Sequence, residues 1–387
     1  MKNKVLLISD HLGIYTGVAH MSRGIVRNSQ GIRWCQIGAG KGWGESAVKV
    51  GNHEVPIIEH RTYGTDATLR EALAKFDPDA VLFFADPWAI RSLAFESSID
   101  DVPKFYYHVW DNWPTPDFNR KLYERFDRIY SISGLTHDAL GKMRLDNAVH
   151  VPHGVDSSIF KPIMGEKKRR ATKNRHFGDP DCFVVFWNNK NLKRKVPQDL
   201  IRYLSVWKSQ FSPDRKIVLL MKTEPQSVDG YDLAAMAKRF ASNLDVRFLD
   251  VEMSRQQLNV YYNVADLTVN IAKNEGFGLS TLESQMAGTP VLLNETGGLQ
   301  DQITDLATVA RSNVQLLEGN LQDRYIFEDY VTYEVFREAM TEAYKRHLTL
   351  DEVHKAREDL IQRGMTEESM GRKISEDVNE VIKYLRA

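Results

Sequence analysis

The chain has 387 residues, of which 42% are hydrophobic and 10% aromatic, enough for two ordinary α/β domains with cores of their own. A formal net charge of −1 gives no global case for a nucleic-acid or membrane-surface binder, and two distant cysteines, Cys35 and Cys182, exclude a disulfide scaffold or a cysteine-built zinc site. The expected compartment is a reducing cytoplasm: no apolar stretch approaches the ~18 residues of a membrane span, and the run in MKNKVLLISDHLG is too short for a signal peptide.

In chain order, Val5–Ser9 reads as a buried strand, followed by a loop with Gly13 and Gly17 and a helical pattern over Val18–Asn28. The spacing is not a G-x-G-x-x-G fingerprint; the turn either faces a ligand or is tight for packing alone. Strands follow at Arg33–Ile37, Ala80–Phe84, Lys104–His108, Arg128–Ser131 and Val149–Val151, with helical patterns between several of them. That alternation predicts a parallel, doubly wound sheet, in which ligands sit beyond the C-terminal strand ends. The residues there are Asp10 and His11, Asp86 with Trp88, and His108 with Asp111 in HVWDNWP. Trp110, Trp113, Pro114 and Pro116 either line an acceptor pocket, where flat aromatics stack on sugar or base rings, or pack a loop. Lys167–Arg175, KKRRATKNR, has no hydrophobic period and is expected to be an exposed linker.

A second α/β domain is expected to start with the strand Phe183–Trp187, followed by the cationic segment NNKNLKRKVPQDLI. It continues through strands Ile217–Met221 and Val246–Leu249, a helix over Ser254–Ala265 and the strand Leu267–Asn270. Beyond Gly298 the pattern is helical, over Thr332–Leu348 and from Asp351 to the C-terminus.

The stretch Asn274–Gly298, NEGFGLSTLESQMAGTPVLLNETGG, is the one the chain is organised around. Gly276 and Gly278 let the backbone approach a ligand, and the helix that follows presents N–H groups, from Leu279 and Ser280, to a diphosphate. Glu275 before the helix can accept from hydroxyls of a transferred sugar, and Glu283 inside it can grip the paired hydroxyls of a ribose. The layout suits a sugar nucleotide. The E-x7-E spacing in EGFGLSTLE, with AGTPV after it, resembles the donor-site signature of the retaining GT-B glycosyltransferases, particularly glycosyltransferase family 4. VPHGVDSSIF, Val151–Phe160, resembles the interdomain signature of the same family, with His153 where Asn is usual and Gly154, Val155, Asp156, Phe160 and Pro162 matching.

That resemblance implies an α/β fold of the GT-B type, two doubly wound Rossmann-like domains facing each other across a cleft. Residues 1–155 would be the acceptor-side domain, joined by the C-terminal helix at about 367–387; 156–180 would be a basic linker and 181–366 the nucleotide-sugar-binding domain. It implies that Gly17 lies near the leaving phosphate, that His108 contacts the donor sugar near its reacting carbon, and that backbone near Asp250 and Val251 meets the nucleobase. The diphosphate would be neutralised by Lys195 with Arg194 beside it; Asn189 stands where the family has Arg. Catalysis would fall to Glu275, His108 and Lys195, and donor binding to Gly17, Asn189, Arg194, Lys195, Glu275, the amides of Gly276, Phe277, Gly278, Leu279 and Ser280, and Glu283, with Asp86, Trp110, Asp111 and Trp113 on the acceptor side.

The implied reaction is retaining transfer from a UDP- or GDP-linked sugar, with no cofactor and no metal, because cationic side chains and helix N–H groups meet the diphosphate. The acceptor partner is left open. Basic residues in the first fifty positions and over Lys161–Lys195 suggest a polyanion. The GGLQDQI run at Gly297–Ile303 resembles strings in virus-encoded members that glycosylate hydroxymethylated DNA bases. A saccharide, lipid-linked or small-molecule acceptor is the alternative, and a sugar-nucleotide epimerase or a non-catalytic sugar-nucleotide-binding protein are the readings outside transfer.

Overall fold

Runs of β-branched and aromatic residues too apolar to leave in water, and too short for a buried helix, become the central strands of two sheets. In the computed structural model, which describes residues 2–386, the chain divides into two compact units. One holds the chain up to Val155, Gly319–Ile326 and everything from Gly364; the other holds Asp156–Glu318 and Phe327–Arg363.

The first unit is built on β1 (Asn3–Asp10), β2 (Ile32–Ala39), β3 (Gly44–Val50), β4 (His53–His60), β5 (Ala80–Phe84), β6 (Lys104–His108), β7 (Arg128–Ser131) and β8 (Ala148–His150). They form one sheet in the order β3-β4-β2-β1-β5-β6-β7-β8, parallel except for β3, which runs antiparallel to β4. The β3–β4 hairpin departs from the sequence reading: GESAVKV has its outward face in solvent, so charged residues dilute the apolar signal, and Gly51 at φ +59 makes the turn. The helix Glu367–Leu385 lies against the helix Gly17–Asn28, where Arg27 Nη1 meets Glu367 Oε2 at 2.9 Å and a Cβ on Gly371 would fall 2.7 Å from that of Asn28. Val155 pairs with Thr366 in an isolated parallel bridge.

The second unit is built on β9 (Phe183–Asn188), β10 (Ile217–Lys222), β11 (Asp245–Phe248), β12 (Leu267–Asn270), β13 (Val291–Asn294) and β14 (Ala307–Ala310), ordered β11-β10-β9-β12-β13-β14 and parallel throughout. A two-stranded sheet of β15 (Val314–Glu318) and β16 (Ile326–Tyr330) follows. Trp187, Leu204, Trp207, Leu219 and Val269 fill the core, and the buried Trp207 indole donates to Thr341 Oγ1 at 2.9 Å.

Two expectations are corrected. Lys167–Arg175, expected to be an exposed linker, is mostly exposed but forms part of the helix Glu166–Phe177, closed by Gly178 at φ +73. Its inward face is ionic rather than apolar, which is why no hydrophobic period is visible: Lys173 Nζ is buried against Asp266 at 2.6 Å, and Arg169 Nη2 meets the same carboxylate at 2.6 Å. The helical tail is two helices, Leu350–Gln362 and Glu367–Leu385, broken where Gly364 takes φ +82. Among the described residues no helix is long and apolar enough to cross a membrane.

Candidate active site

Because β9 and β12 are parallel neighbours, the loops that follow them leave from the same edge of the second sheet. The loop after β9 makes a 3-10 turn, Lys193–Lys195, then places Val196 at φ 43 before Pro197 opens the helix Pro197–Phe211. The loop after β12 runs through Lys273 and Asn274 to Glu275. Lys273 N donates to Arg194 O at 2.8 Å, and Arg194 Nη1 donates back to Asn274 O at 2.8 Å, so the two loops are stitched backbone to side chain.

Glu275 is 5% exposed and is met by three groups. Lys195 Nζ pairs with Oε1, Asn270 Nδ2 donates to the same oxygen at 3.0 Å, and Arg194 Nη1 lies 3.7 Å from Oε2. Burial pushes the Glu275 carboxyl up, but Lys195 and Arg194 outweigh it and hold the group below the ordinary carboxylate value. The result is an oriented carboxylate whose ionised form is favoured, just before the helix.

That helix, Leu279–Met286, begins after Gly278, whose φ of +87 a side-chain-bearing residue adopts only with strain, and where a Cβ would lie 2.3 Å from Leu299 Cδ2. Gln302 ties the turn from behind, donating from Nε2 to Phe277 O at 2.6 Å and accepting at Oε1 from Thr281 Oγ1 at 2.6 Å. Gly298 packs so tightly that a Cβ would fall 2.3 Å from Gly276 O and 2.6 Å from Phe277 Cα. With the carbonyls engaged, the first N–H groups of the helix, those of Leu279 and Ser280, are the ones helix geometry supplies with no carbonyl. The Ser280 hydroxyl is buried and has no hydrogen-bond partner among the described residues. Glu283 follows one turn later, half-buried, accepting at Oε2 from Tyr262 Oη at 2.7 Å, while Asn188 Nδ2 donates to that same phenol oxygen at 2.8 Å.

Asn189, Arg194, Lys195, Glu275, Gly276, Phe277, Gly278, Leu279, Ser280 and Glu283 all belong to the second unit, where Arg194, Lys195 and Glu275 are in direct contact. Asn189 directs a buried Nδ2 that meets no acceptor among the described residues. Asp250 and Val251 lie in the exposed loop after β11. Sequence reasoning missed Asn270, Tyr262, Asn188 and Gln302, which hold the two glutamates and the turn. A polar Asn ending the apolar strand LTVN was the one visible signal.

Gly17, Asp86, His108, Trp110, Asp111 and Trp113 belong to the first unit: His108 ends β6, Gly17 opens the helix after β1, and the others follow β5 and β6. Gly17 opens its helix behind Thr16, whose hydroxyl caps Ala19 N at 3.0 Å and binds Asp10. Asp86 is exposed and Asp111 half-buried. His108 is fully buried: its Nε2 meets Tyr123 Oη at 2.8 Å, its Nδ1 has no hydrogen-bond partner among the described residues, and burial drives its pKa down to about 3. Trp110 is 6% exposed, donates to Asn112 O at 2.7 Å and stands edge-on to Phe118, so it packs its loop. Trp113 keeps a half-exposed ring with Lys142 Nζ 4.0 Å from its centroid.

The fold is that of known GT-B enzymes. The chain superposes on sucrose-phosphate synthase from Thermosynechococcus elongatus with a TM-score of 0.72 at 14% identity, over 99% of this chain and 100% of that one. It superposes on Anabaena HepE in complex with UDP and glucose with a TM-score of 0.68 at 16% identity, over 98% and 100%. In sequence, D-inositol 3-phosphate glycosyltransferase from Salinispora arenicola is 30% identical over 161 residues, 40% of this chain and 36% of that protein. The chain therefore spans little more than a third of the length of the curated relatives it matches. The model of family 4 glycosyltransferases in conflict systems matches residues 155–373, more than half of the chain and all of the turn between Glu275 and Glu283. On that match the chain belongs to the family 4 glycosyltransferases of conflict systems.

Proposed function

We propose that this protein transfers a sugar, with retention of anomeric configuration, from a nucleoside-diphosphate sugar to an acceptor hydroxyl. The observation that carries the reading is the buried Glu275 carboxylate, held by Lys195, Arg194 and Asn270 beside the open N-terminus of the helix bearing Glu283. The carboxylate orients hydroxyls of the transferred sugar, Lys195 and Arg194 with the Leu279 and Ser280 amides receive the diphosphate, and Glu283, aimed by Tyr262, takes the ribose.

In this reading the bond from the anomeric carbon to the diphosphate oxygen breaks, and the acceptor oxygen bonds to that carbon from the same face. The acceptor proton passes to the departing phosphate oxygen, so the electron pair and charge leave with the diphosphate. Cations fixed before the reaction stabilise that charge at no reorganisation cost, and they supply what a metal ion would otherwise provide. In this reading His108, held at Nε2 by Tyr123, contacts the transferred sugar through Nδ1, which is buried with no hydrogen-bond partner among the described residues. HepE bound to UDP and glucose, and the Escherichia coli trehalose-6-phosphate protein bound with UDP-2-fluoro glucose, support a UDP-linked donor.

A polyanionic acceptor such as hydroxymethylated DNA loses part of its charge argument, although Lys161, Lys167, Lys168 and Arg175 are exposed. Arg169 and Lys173 are engaged by Asp266, Arg170 by Asp181, and Lys195 by Glu275, while the GGLQDQI run supplies Gly298 and Gln302 to the donor turn. A saccharide or other small acceptor is the reading we favour.

The test is thermal stabilisation by a panel of UDP- and GDP-sugars, then product analysis with hydroxymethylated duplex and sugar acceptors, with anomeric configuration read by NMR. A stabilising donor that yields an α-glycoside from an α-linked donor supports the proposal. An inverted product removes retention, and conversion of the donor alone to another sugar nucleotide makes the protein an epimerase. Binding without transfer or slow hydrolysis leaves only a binding protein.

A further inference from the structure

The first unit carries a group of side chains that the reading above does not use, at the ends of β1, β2 and β4. His11 N donates to Ala39 O at 2.9 Å and Gly40 N to His60 O at 3.0 Å, so the loops after these three strands lie side by side. The middle loop, GKGWG, holds Gly40 at φ +94 and Gly44 at φ +136 and carries Lys41 and Trp43 between them; a Cβ on Gly13 would lie 3.6 Å from Lys41 Nζ. Trp43 is 64% exposed and Tyr15, on the first loop, 67%. Two large rings left in water at the ligand-binding edge of a parallel sheet contribute little to folding and much to a bound ring.

Beneath them lies an unmet polar atom. His60 is 3% exposed and its Nδ1 is held by Thr62 N at 3.0 Å, but its Nε2 is buried with no hydrogen-bond partner among the described residues. The Trp43 ring stands edge-on over this imidazole, centroids 4.1 Å apart. A buried nitrogen of this kind costs stability unless a ligand group meets it.

We infer that this edge binds a phosphorylated sugar, which serves as the acceptor. The C–H face of the ring lies on Trp43 and Tyr15, a hydroxyl reaches His60 Nε2, and the phosphate pairs with Lys41. The acceptor role rests on the transferase reading, whereas the binding does not. A nucleic-acid strand fits less well, because Glu45 on β3 and Glu59 on β4 border these loops and interrupt any continuous basic track; Glu45 pairs with Lys75, and Glu59 lies 3.3 Å from His11 Nε2.

Calorimetric titration of the full chain with glucose 6-phosphate, fructose 6-phosphate, glucose and a duplex containing hydroxymethylcytosine, without nucleotide sugar, tests this. At least one sugar phosphate should bind saturably, its affinity falling about tenfold or more in Trp43→Ala and in Lys41→Ala and recovering in Trp43→Phe, while glucose loses nothing in Lys41→Ala. Stabilisation by the nucleotide sugar should be unchanged in both variants. No saturable binding of either sugar phosphate, or equal affinity in Trp43→Ala, overturns the inference, as does binding of the duplex alone. If no nucleotide sugar binds yet sugar-phosphate affinity depends on Trp43, the transferase reading falls and this one stands.

Discussion

Asn270 donates from Nδ2 to Glu275 Oε1 at 3.0 Å, so the last residue of β12 fixes the carboxylate that opens the turn after it. Its Oδ1 also accepts from Ala272 N at 3.2 Å, which makes Asn270 a brace for the whole loop. Asn270→Ala should lower kcat roughly tenfold to a hundredfold with a smaller change in donor KM, because a misaimed carboxylate costs more in the transition state than in binding. Steady-state kinetics on the transfer reaction checks the split. Unaltered kcat would show that the brace is dispensable.

Removing Glu275 strands its partner. Lys195 is 6% exposed, so Glu275→Ala leaves a buried ammonium facing Arg194, with an expected loss of about 3 kcal/mol in urea unfolding. The double variant Glu275→Ala with Lys195→Met should recover most of that stability and none of the activity. Activity returning with stability would mean that the carboxylate serves folding alone.

Tyr262→Phe removes the hydrogen bond to Glu283 and that from Asn188 while keeping the ring in the core. Donor KM should rise by roughly threefold to tenfold with kcat little changed, in the same direction as Glu283→Ala and smaller. A drop in kcat alone would assign the tyrosine to the chemical step instead.

The pH dependence follows from two shielded imidazoles. Burial lowers the pKa of His108 and of His153 to about 3, against an unfolded value of 6.5, so both are neutral in the native protein and both take up protons on unfolding. Their contribution is fully present above pH 6.5 and is lost as pH falls from there toward 3, at a limiting slope of about 2–3 kcal/mol per pH unit for the pair. Glu275, with its pKa lowered, contributes stability above the ordinary carboxyl value of 4.5 that disappears only at more acidic pH. Urea unfolding between pH 7 and 5 should show the histidine slope, to which His150, lowered to about 4, also contributes, and His108→Gln should remove at most about 1.4 kcal/mol per pH unit of it. An unchanged slope in that variant would mean the imidazole keeps its proton on folding.

Gly278→Ala should damage both the stability and the donor binding of the second unit. The φ of +87 disfavours any side chain and the new Cβ collides with Leu299, so a loss of about 2 kcal/mol or more is expected, along with donor binding. Thermal melts with and without nucleotide sugar separate the two losses.

Much of the fold was legible because buried strands such as AVLFF and LTVN are uninterrupted apolar runs between turn signals, and Ala80–Phe84, Lys104–His108, Arg128–Ser131 and Leu267–Asn270 fall where that pattern puts them. The β3–β4 hairpin was not, because a half-exposed strand alternates Glu45 and Lys49 on its solvent face with the inward residues and breaks the apolar run. The helix Glu166–Phe177 hid for a different reason: it docks through Arg169 and Lys173 on Asp266, and an ionic contact leaves no periodicity. In the site, spacing singled out Glu275, Glu283 and the glycines, since these are local in sequence. The groups that aim them, Asn270, Tyr262 and Gln302, reach the turn only through tertiary folding, and the inward turn of His108 is decided by packing against Tyr106 and Tyr123.

The contact of Gly298 with the backbone of Gly276 and Phe277 sets a limit on how this protein can diversify. Where two main chains touch, no exchange of side chains can widen or reshape the wall, so a lineage that changes its preferred donor must do so elsewhere, in loops such as the one after β11. The turn itself behaves as a fixed die, which only a change in the path of the main chain could reshape.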